Sequence, residues 1–145
     1  MENKEQVNML EVIILKGLPG SGKSTWAKKK MQDNPGKYKS VNKDALRDML
    51  DSGQFSKDNE SFVTKVRNFI IFAALEQGKN VIVDDTNFNP IHKKKIRDLA
   101  HGYAVVKIKE FNVDVDECIR RDAVRENSVG EKVIRSMYNK YVAIN

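Results

Sequence analysis

Short apolar runs alternate along the chain with longer stretches in which apolar residues return every three or four positions. The runs Glu11 to Lys16, Tyr38 to Val41, Asn80 to Asp84 and Tyr103 to Lys109 predict strands. The first helical stretch runs from Lys23 to Gln32 and is stopped by Asn34-Pro35-Gly36. A second opens at Asn42-Lys43-Asp44 and continues to about Leu50. After the turn Asp51-Ser52-Gly53, the polar stretch to Asn59 reads as a mobile loop. From about Asp58 to Gln77, Phe62, Val66, Phe69, Ile70, Ala73 and Ala74 recur at helical spacing and predict the buried face of a long helix ended by Gly78. Asn89-Pro90 has the cap-then-proline order that starts a helix, which reaches Gly102. Asp114 to Arg125 predicts another, and after the polar Glu126 to Gly130 a final helix runs through Tyr141. Strands alternating with helices predict a three-layer α/β fold: a four-stranded parallel sheet covered on both faces, with its ligand at the carboxyl ends of the strands.

Composition narrows this little further. A chain of 145 residues is expected to form one domain, residues 1–145, with a polar tail over residues 1–10. No apolar run approaches the roughly 20 residues that span a bilayer. Met1 to Asn8, which carries Glu2 and Glu5, lacks the apolar centre of a signal peptide, so no membrane partner and a cytoplasmic location are expected. The lone Cys118 has no partner for an internal disulfide and reads as a small buried residue. His92 and His101 show no metal-ligand spacing, so zinc is not indicated. The net charge of +6 favours polyanionic partners without identifying one.

The densest chemistry follows the first strand, in Gly17-Leu18-Pro19-Gly20-Ser21-Gly22-Lys23-Ser24. This is G-x-x-x-x-G-K-[ST] between a strand and a helix, the setting that makes the pattern a phosphate-binding loop. Gly17, Gly20 and Gly22 let consecutive N–H groups turn toward an anion, and the following helix adds its positive end. Lys23 would reach the β and γ phosphates and the Ser24 hydroxyl would ligate Mg²⁺. A lysine in a first helical turn opposes the helix dipole unless an anion is bound.

Three other groups point the same way. Asp84 and Asp85 end the third strand, where such folds hold hydrated Mg²⁺, but neighbouring strand residues face opposite ways and the pattern does not choose between them. Asp44 follows the second strand and is placed to accept a proton from an attacking hydroxyl, with Arg47 one turn on to hold an acceptor phosphate. A surface ion pair would use the same two residues. Arg120, Arg121 and Arg125 precede the polar Glu126 to Gly130. Arg121 and Arg125 share a helix face and suit a closing lid, although pairing with Asp122 and Glu126 would also satisfy them. The runs Lys28-Lys29-Lys30 and Lys93-Lys94-Lys95 read as solvated helix faces. Trp26 reads as packed on the sheet, while Phe88 could stack on a base.

Taken in order, the run Gly17 to Ala27, Asn34-Pro35-Gly36, Asn42-x-Asp44-x-x-Arg47, Asp85 to Pro90 and Arg135-Ser136-Met137-Tyr138 resembles the kinase half of the phage polynucleotide 5'-kinase/3'-phosphatase family. The resemblance spans Glu11 to about Tyr141 and implies a phosphate-loop kinase fold with a helical lid, using ATP and Mg²⁺ to phosphorylate 5'-hydroxyl ends of DNA or RNA. It implies that Gly17, Gly20, Ser21, Gly22, Lys23, Ser24 and Thr25 bind the donor phosphates. Asp44 would be the general base and Arg47 the contact to the adjacent phosphate. Arg125 would act on the transferring phosphate, with Arg121 nearby. It aligns Asp85 rather than Asp84 with the metal aspartate, and Asp85 and Thr86 with the acceptor side. The family's Asp-x-Asp-x-Thr phosphatase signature is missing, since Asp114-Val115-Asp116 is followed by Glu117-Cys118, so no 3'-phosphatase activity is expected in this chain. Because the chain stops near the end of the family's kinase part, either a stand-alone kinase or part of a longer enzyme is expected. Small-molecule and zeta-toxin-like kinases share the loop, the helical aspartate and the lid arginines. A nucleotide-binding switch or nucleic-acid-binding module would need the loop alone.

Overall fold

The computed structural model describes residues 9–143, so all but the end of the predicted polar tail lies outside the described residues. Strands β1 (Leu10–Gly17), β2 (Tyr38–Val41), β3 (Asn80–Asp84) and β4 (Ala104–Phe111) form a four-stranded sheet in the order β2-β3-β1-β4. All three pairings are parallel, with Ile14 opposite Val83 and Ile108 and with Val41 opposite Val83. The helices are α1 (Lys23–Asp33), α2 (Lys43–Asp51), α3 (Lys57–Glu76), α4 (Pro90–Ala100), α5 (Val115–Ala123) and α6 (Glu131–Met137).

β1 and β3 are apolar on both sides because helices cover both faces of the sheet. Val12, Ile14, Val81 and Val83 pack with Leu46 of α2, Val63, Ile71 and Leu75 of α3, and Ile96 of α4. On the opposite face Ile13, Leu15 and Ile82 meet Ala27, Trp26 and Met31 of α1. A third cluster, Leu18, Cys118 and Ile134, joins the phosphate loop to α5 and α6. Cys118 is fully buried there. Among the described residues no helix is long and apolar enough to cross a membrane.

Local signals fix the helix starts that matter to the site. Asn42 caps α2 by accepting from the Ala45 N–H at 2.8 Å, while its Nδ2 donates to the Asp84 carbonyl at 2.6 Å. One side chain thus sets α2 against the end of β3. Asp114, from the segment that lacks the phosphatase signature, caps α5 by accepting from Asp116 and Glu117 N–H groups. α1 has Gly22 at its cap position and no side-chain cap.

The structure departs from the predicted pattern in two helices. Phe62 and Phe69 are 55% and 70% exposed, and the buried stripe of α3 is Val63, Arg67, Ile71, Ala74 and Leu75. A pattern that steps around Arg67 is rotated by one residue, about 100° of helix. The last predicted helix ends at Met137, and Tyr138–Val142 continues as one π-helical turn.

Candidate active site

A cleft of about 1460 Å³ crosses the carboxyl ends of the strands. Its phosphate-loop end is built largely by local backbone. Lys23 is buried, and its Nζ donates to the carbonyls of Gly17 at 2.9 Å and Leu18 at 2.8 Å. Burial pulls its pKa down to about 8, opposed by the neighbouring Asp84 carboxylate. Gly20 has φ +85°, and a Cβ there would stand 2.4 Å from the Cys118 carbonyl oxygen. At Gly17 a Cβ would meet Ser21 Oγ at 2.8 Å and Phe111 Cβ at 3.0 Å. These two glycines therefore admit α5 and β4 as well as a curled loop. Gly20, Gly22, Lys23, Ser24 and Thr25 line the cleft, whereas Gly17 and Ser21 lie behind that lining. Ser21 is buried and its N–H donates to the Leu18 carbonyl at 3.1 Å.

The two aspartates at the end of β3 separate by strand alternation. Asp84 shares the α1 face with Ile82, and its Oδ2 accepts from Ser24 Oγ at 2.7 Å. Asp85 shares the α3 face with Val83. Its Oδ1 accepts the Lys43 N–H at 2.9 Å and its Oδ2 lies 3.9 Å from Nη1 of the fully buried Arg67. Burial raises the pKa of both carboxyl groups, against the Ser24 hydrogen bond at Asp84 and the Lys43 N–H at Asp85. Asp85, the residue that the resemblance aligns with the metal aspartate, thus lies at the base of α2, and it is Asp84 that meets Ser24. Thr86 lines the cleft, and its carbonyl accepts the Gly17 N–H at 3.2 Å. Asn87, at φ 53°, donates to the Leu15 carbonyl at 2.7 Å and so ties β1 to the end of β3.

At the end of the cleft lined by α2 a side-chain network takes over. Arg47 donates from Nε to Glu60 Oε1 at 2.8 Å and from Nη2 to Oε2 at 2.9 Å, while its Nη1 pairs with Asp44. Lys43 Nζ also reaches Glu60 Oε2 at 2.9 Å. Held chiefly by the Arg47 hydrogen bonds, the Glu60 carboxyl has a pKa of about 2. Asp44 is 78% exposed at its side chain. Burial, with Lys43 and Arg67 nearby, lowers the His92 pKa to about 4, so this cleft residue is neutral at pH 7.

Arg121 and Arg125 line the cleft and Arg120 does not. Arg121 Nε donates to Glu117 at 2.8 Å and Arg125 Nη2 to Asp122 at 2.5 Å. Asp122, nearly fully buried, also accepts the N–H groups of Val129 at 3.1 Å and Gly130 at 2.9 Å. It thereby closes the polar segment after α5 onto the helix that carries Arg121; α5 ends at Ala123, so Arg125 lies just beyond it and the shared helix face expected for the two arginines does not form. Glu60, Arg67 and the anchoring part of Asp122 escaped the sequence reading. The available signal for Arg67 was a charged residue in the stripe Val63, Ile71 and Ala74. Trp26 packs edge-on against Phe111 at 6.3 Å, and Phe88 stacks on Tyr141 at 5.2 Å.

A family model described as an AAA domain matches residues 12–144. The chain belongs to that family, and its domain is a phosphate-loop kinase domain. It is 29% identical over 137 residues to the L-seryl-tRNA(Sec) kinase of Methanococcus maripaludis, covering 90% of this chain and 52% of the relative. A protein of Autographa californica nuclear polyhedrosis virus, assigned as a bifunctional polynucleotide kinase/RNA ligase, is 26% identical over 153 aligned positions, covering 93% of this chain and 21% of the viral protein. Among solved structures, the Pnkp1/Rnl/Hen1 RNA repair complex contains a chain with 26% identity and a TM-score of 0.75, covering 97% of this chain and 47% of that one. The kinase domain thus spans about half of one curated relative and about a fifth of the other.

Proposed function

We propose that this kinase domain transfers the γ phosphate of ATP to the 5'-hydroxyl of DNA or RNA. The observation that carries the reading is the single cleft that joins Lys23 and Ser24 at one end to Asp44 and Arg47 at the other. The names of the viral relative and the RNA repair complex support a polynucleotide acceptor.

In this reading Lys23 and the N-terminus of α1 bind the β and γ phosphates. As the 5' oxygen attacks the γ phosphorus, its proton passes to the Asp44 carboxylate. The new O–P bond forms while the bond from phosphorus to the β-phosphate oxygen breaks, and ADP leaves with that electron pair. Of the five N–H groups of Arg47, three are used within the protein, and the remaining two hold the acceptor's adjacent phosphate. Arg121 and Arg125 offset charge on the equatorial oxygens. Ser24 Oγ and Asp84 Oδ2 form a pair of hard oxygens at the loop, and among the described residues no group of three His, Cys, Asp or Glu side chains gathers as a metal site. That sparse set suits Mg²⁺, which takes one or two protein oxygens together with water and substrate phosphates. When bound, Mg²⁺ neutralises charge on the β and γ oxygens.

The seryl-tRNA kinase relative favours a second acceptor, a serine hydroxyl carried on RNA. Both are tested by transfer of labelled γ phosphate to a 5'-hydroxyl oligonucleotide, with its 5'-phosphorylated form and seryl-tRNA alongside. Label on the 5'-hydroxyl strand alone is the expected result. Label on seryl-tRNA alone overturns it in favour of the second acceptor. Asp44→Asn should lower turnover by about 10²- to 10⁴-fold, the scale of a lost general base, with ATP affinity little changed.

A further inference from the structure

In the polar run from Asp51 to Ser61, Phe55 is the one apolar side chain, and it is 73% exposed. The segment that carries it is well pinned. Gly53 N–H donates to the Arg47 carbonyl at 3.0 Å, Gln54 N–H to the Asp51 carbonyl at 3.0 Å, and Asn59 Nδ2 to the Gln54 carbonyl at 3.1 Å. Arg47 and Glu60, joined by paired hydrogen bonds, close the two ends of this loop. The connection between α2 and α3 is thus a short hydrogen-bonded arch, with Phe55 on the wall of the cleft that also holds Asp44 and Arg47. An exposed phenyl ring forgoes the burial that such a ring ordinarily gains. The other cleft aromatics have ring partners: Phe88 lies on Tyr141 and Trp26 against Phe111. Phe55 pairs with no ring among the described residues.

Resting on the polynucleotide reading above, we propose that Phe55 is the stacking platform for the base of the acceptor's first nucleotide. The ring sits on the same closed loop as Arg47, so one unit offers a flat apolar face for a base and a guanidinium for the phosphate beside it. A nucleotide presents both features. A polyol or a sugar acid has no π face to set against the ring, so the arch selects a base-bearing acceptor while accepting any of the bases. The remaining exposed phenyl rings on α3, Phe62 and Phe69, do not line the cleft and take no part.

The test is steady-state phosphorylation of a 5'-hydroxyl oligonucleotide and of the same strand made abasic at its first position. Phe55→Ala should raise KM for the ordinary acceptor about tenfold, the scale of one lost base–aromatic stack, while the KM for ATP and the thermal midpoint stay near wild type. Phe55→Tyr should restore the acceptor KM. Wild-type protein should bind the abasic acceptor about as weakly as Phe55→Ala binds the ordinary one, and combining variant and abasic strand should add little further loss. An unchanged acceptor KM in Phe55→Ala, or a Phe55→Ala substitution that costs as much on the abasic strand as on the ordinary one, overturns the stacking assignment and leaves the kinase reading standing. Wild-type protein that phosphorylates no oligonucleotide overturns both.

Discussion

Lys23, at the donor end of the cleft, is held by two backbone carbonyls five and six residues before it, whereas Arg47, at the acceptor end, is held by carboxylates from its own helix and from α3. The first arrangement is carried by one stretch of sequence and by backbone carbonyls within it. The second exists only once α2 and α3 are packed, and each of its members depends on the others' charges.

Asp84, the last residue of β3, and Asp85 just after it offer the strongest means of breaking that contrast, because they face opposite ends of it. Asp85→Ala would leave the Arg67 guanidinium, which does not shed its proton, buried without its carboxylate, at a cost of about 3 kcal/mol seen in thermal or urea unfolding. Asp84→Ala should instead spare stability and lower Mg²⁺-dependent turnover about 10- to 100-fold, as loss of a group orienting a metal ligand does. The reverse pattern would return the metal to Asp85.

Glu60→Gln should have a smaller effect, confined to the acceptor. Loss of one charge-assisted partner of Arg47 should raise the acceptor KM about tenfold with the KM for ATP unchanged. The acid limb of stability gives a second readout. The folded-state pKa of about 2 lies below the ordinary 4.5, so the Glu60 contribution is complete above about pH 4.5 and is lost as pH falls toward 2. The variant should lose stability less steeply across that interval. If both readouts match wild type, Glu60 does not hold Arg47 in solution.

The smallest effect sharpens the donor side. Lys23, with its pKa drawn down to about 8, is partly uncharged just above that pH, and bound phosphate favours the charged form. Nucleotide binding there should take up a fraction of a proton and weaken as pH rises. Calorimetry in buffers of different ionisation enthalpy would measure the uptake, which should vanish in Lys23→Met.

The same contrast explains what could be read from sequence. β2 and β3 have the predicted bounds, and the phosphate loop was legible because strand, glycines, lysine and serine are contiguous. Which of Asp84 and Asp85 meets Ser24 was not, because it depends on which face of the sheet α1 covers. Arg67 hid the true face of α3, since a fully buried guanidinium interrupts the apolar period that would have marked it. Glu60 looked like one more charge in a polar run, for its partners Lys43 and Arg47 lie 17 and 13 residues away on another helix.

At Gly20 the phosphate loop touches the Cys118 carbonyl of α5, the helix that carries Arg121 and leads into Arg125, with no room for a methyl group between them. The loop and the root of the lid arginines thus behave like two gear wheels cut to a common tooth. A carbon atom added to one would turn the other, so the donor end has a mechanical tolerance of less than one side chain even where no substrate atom is near.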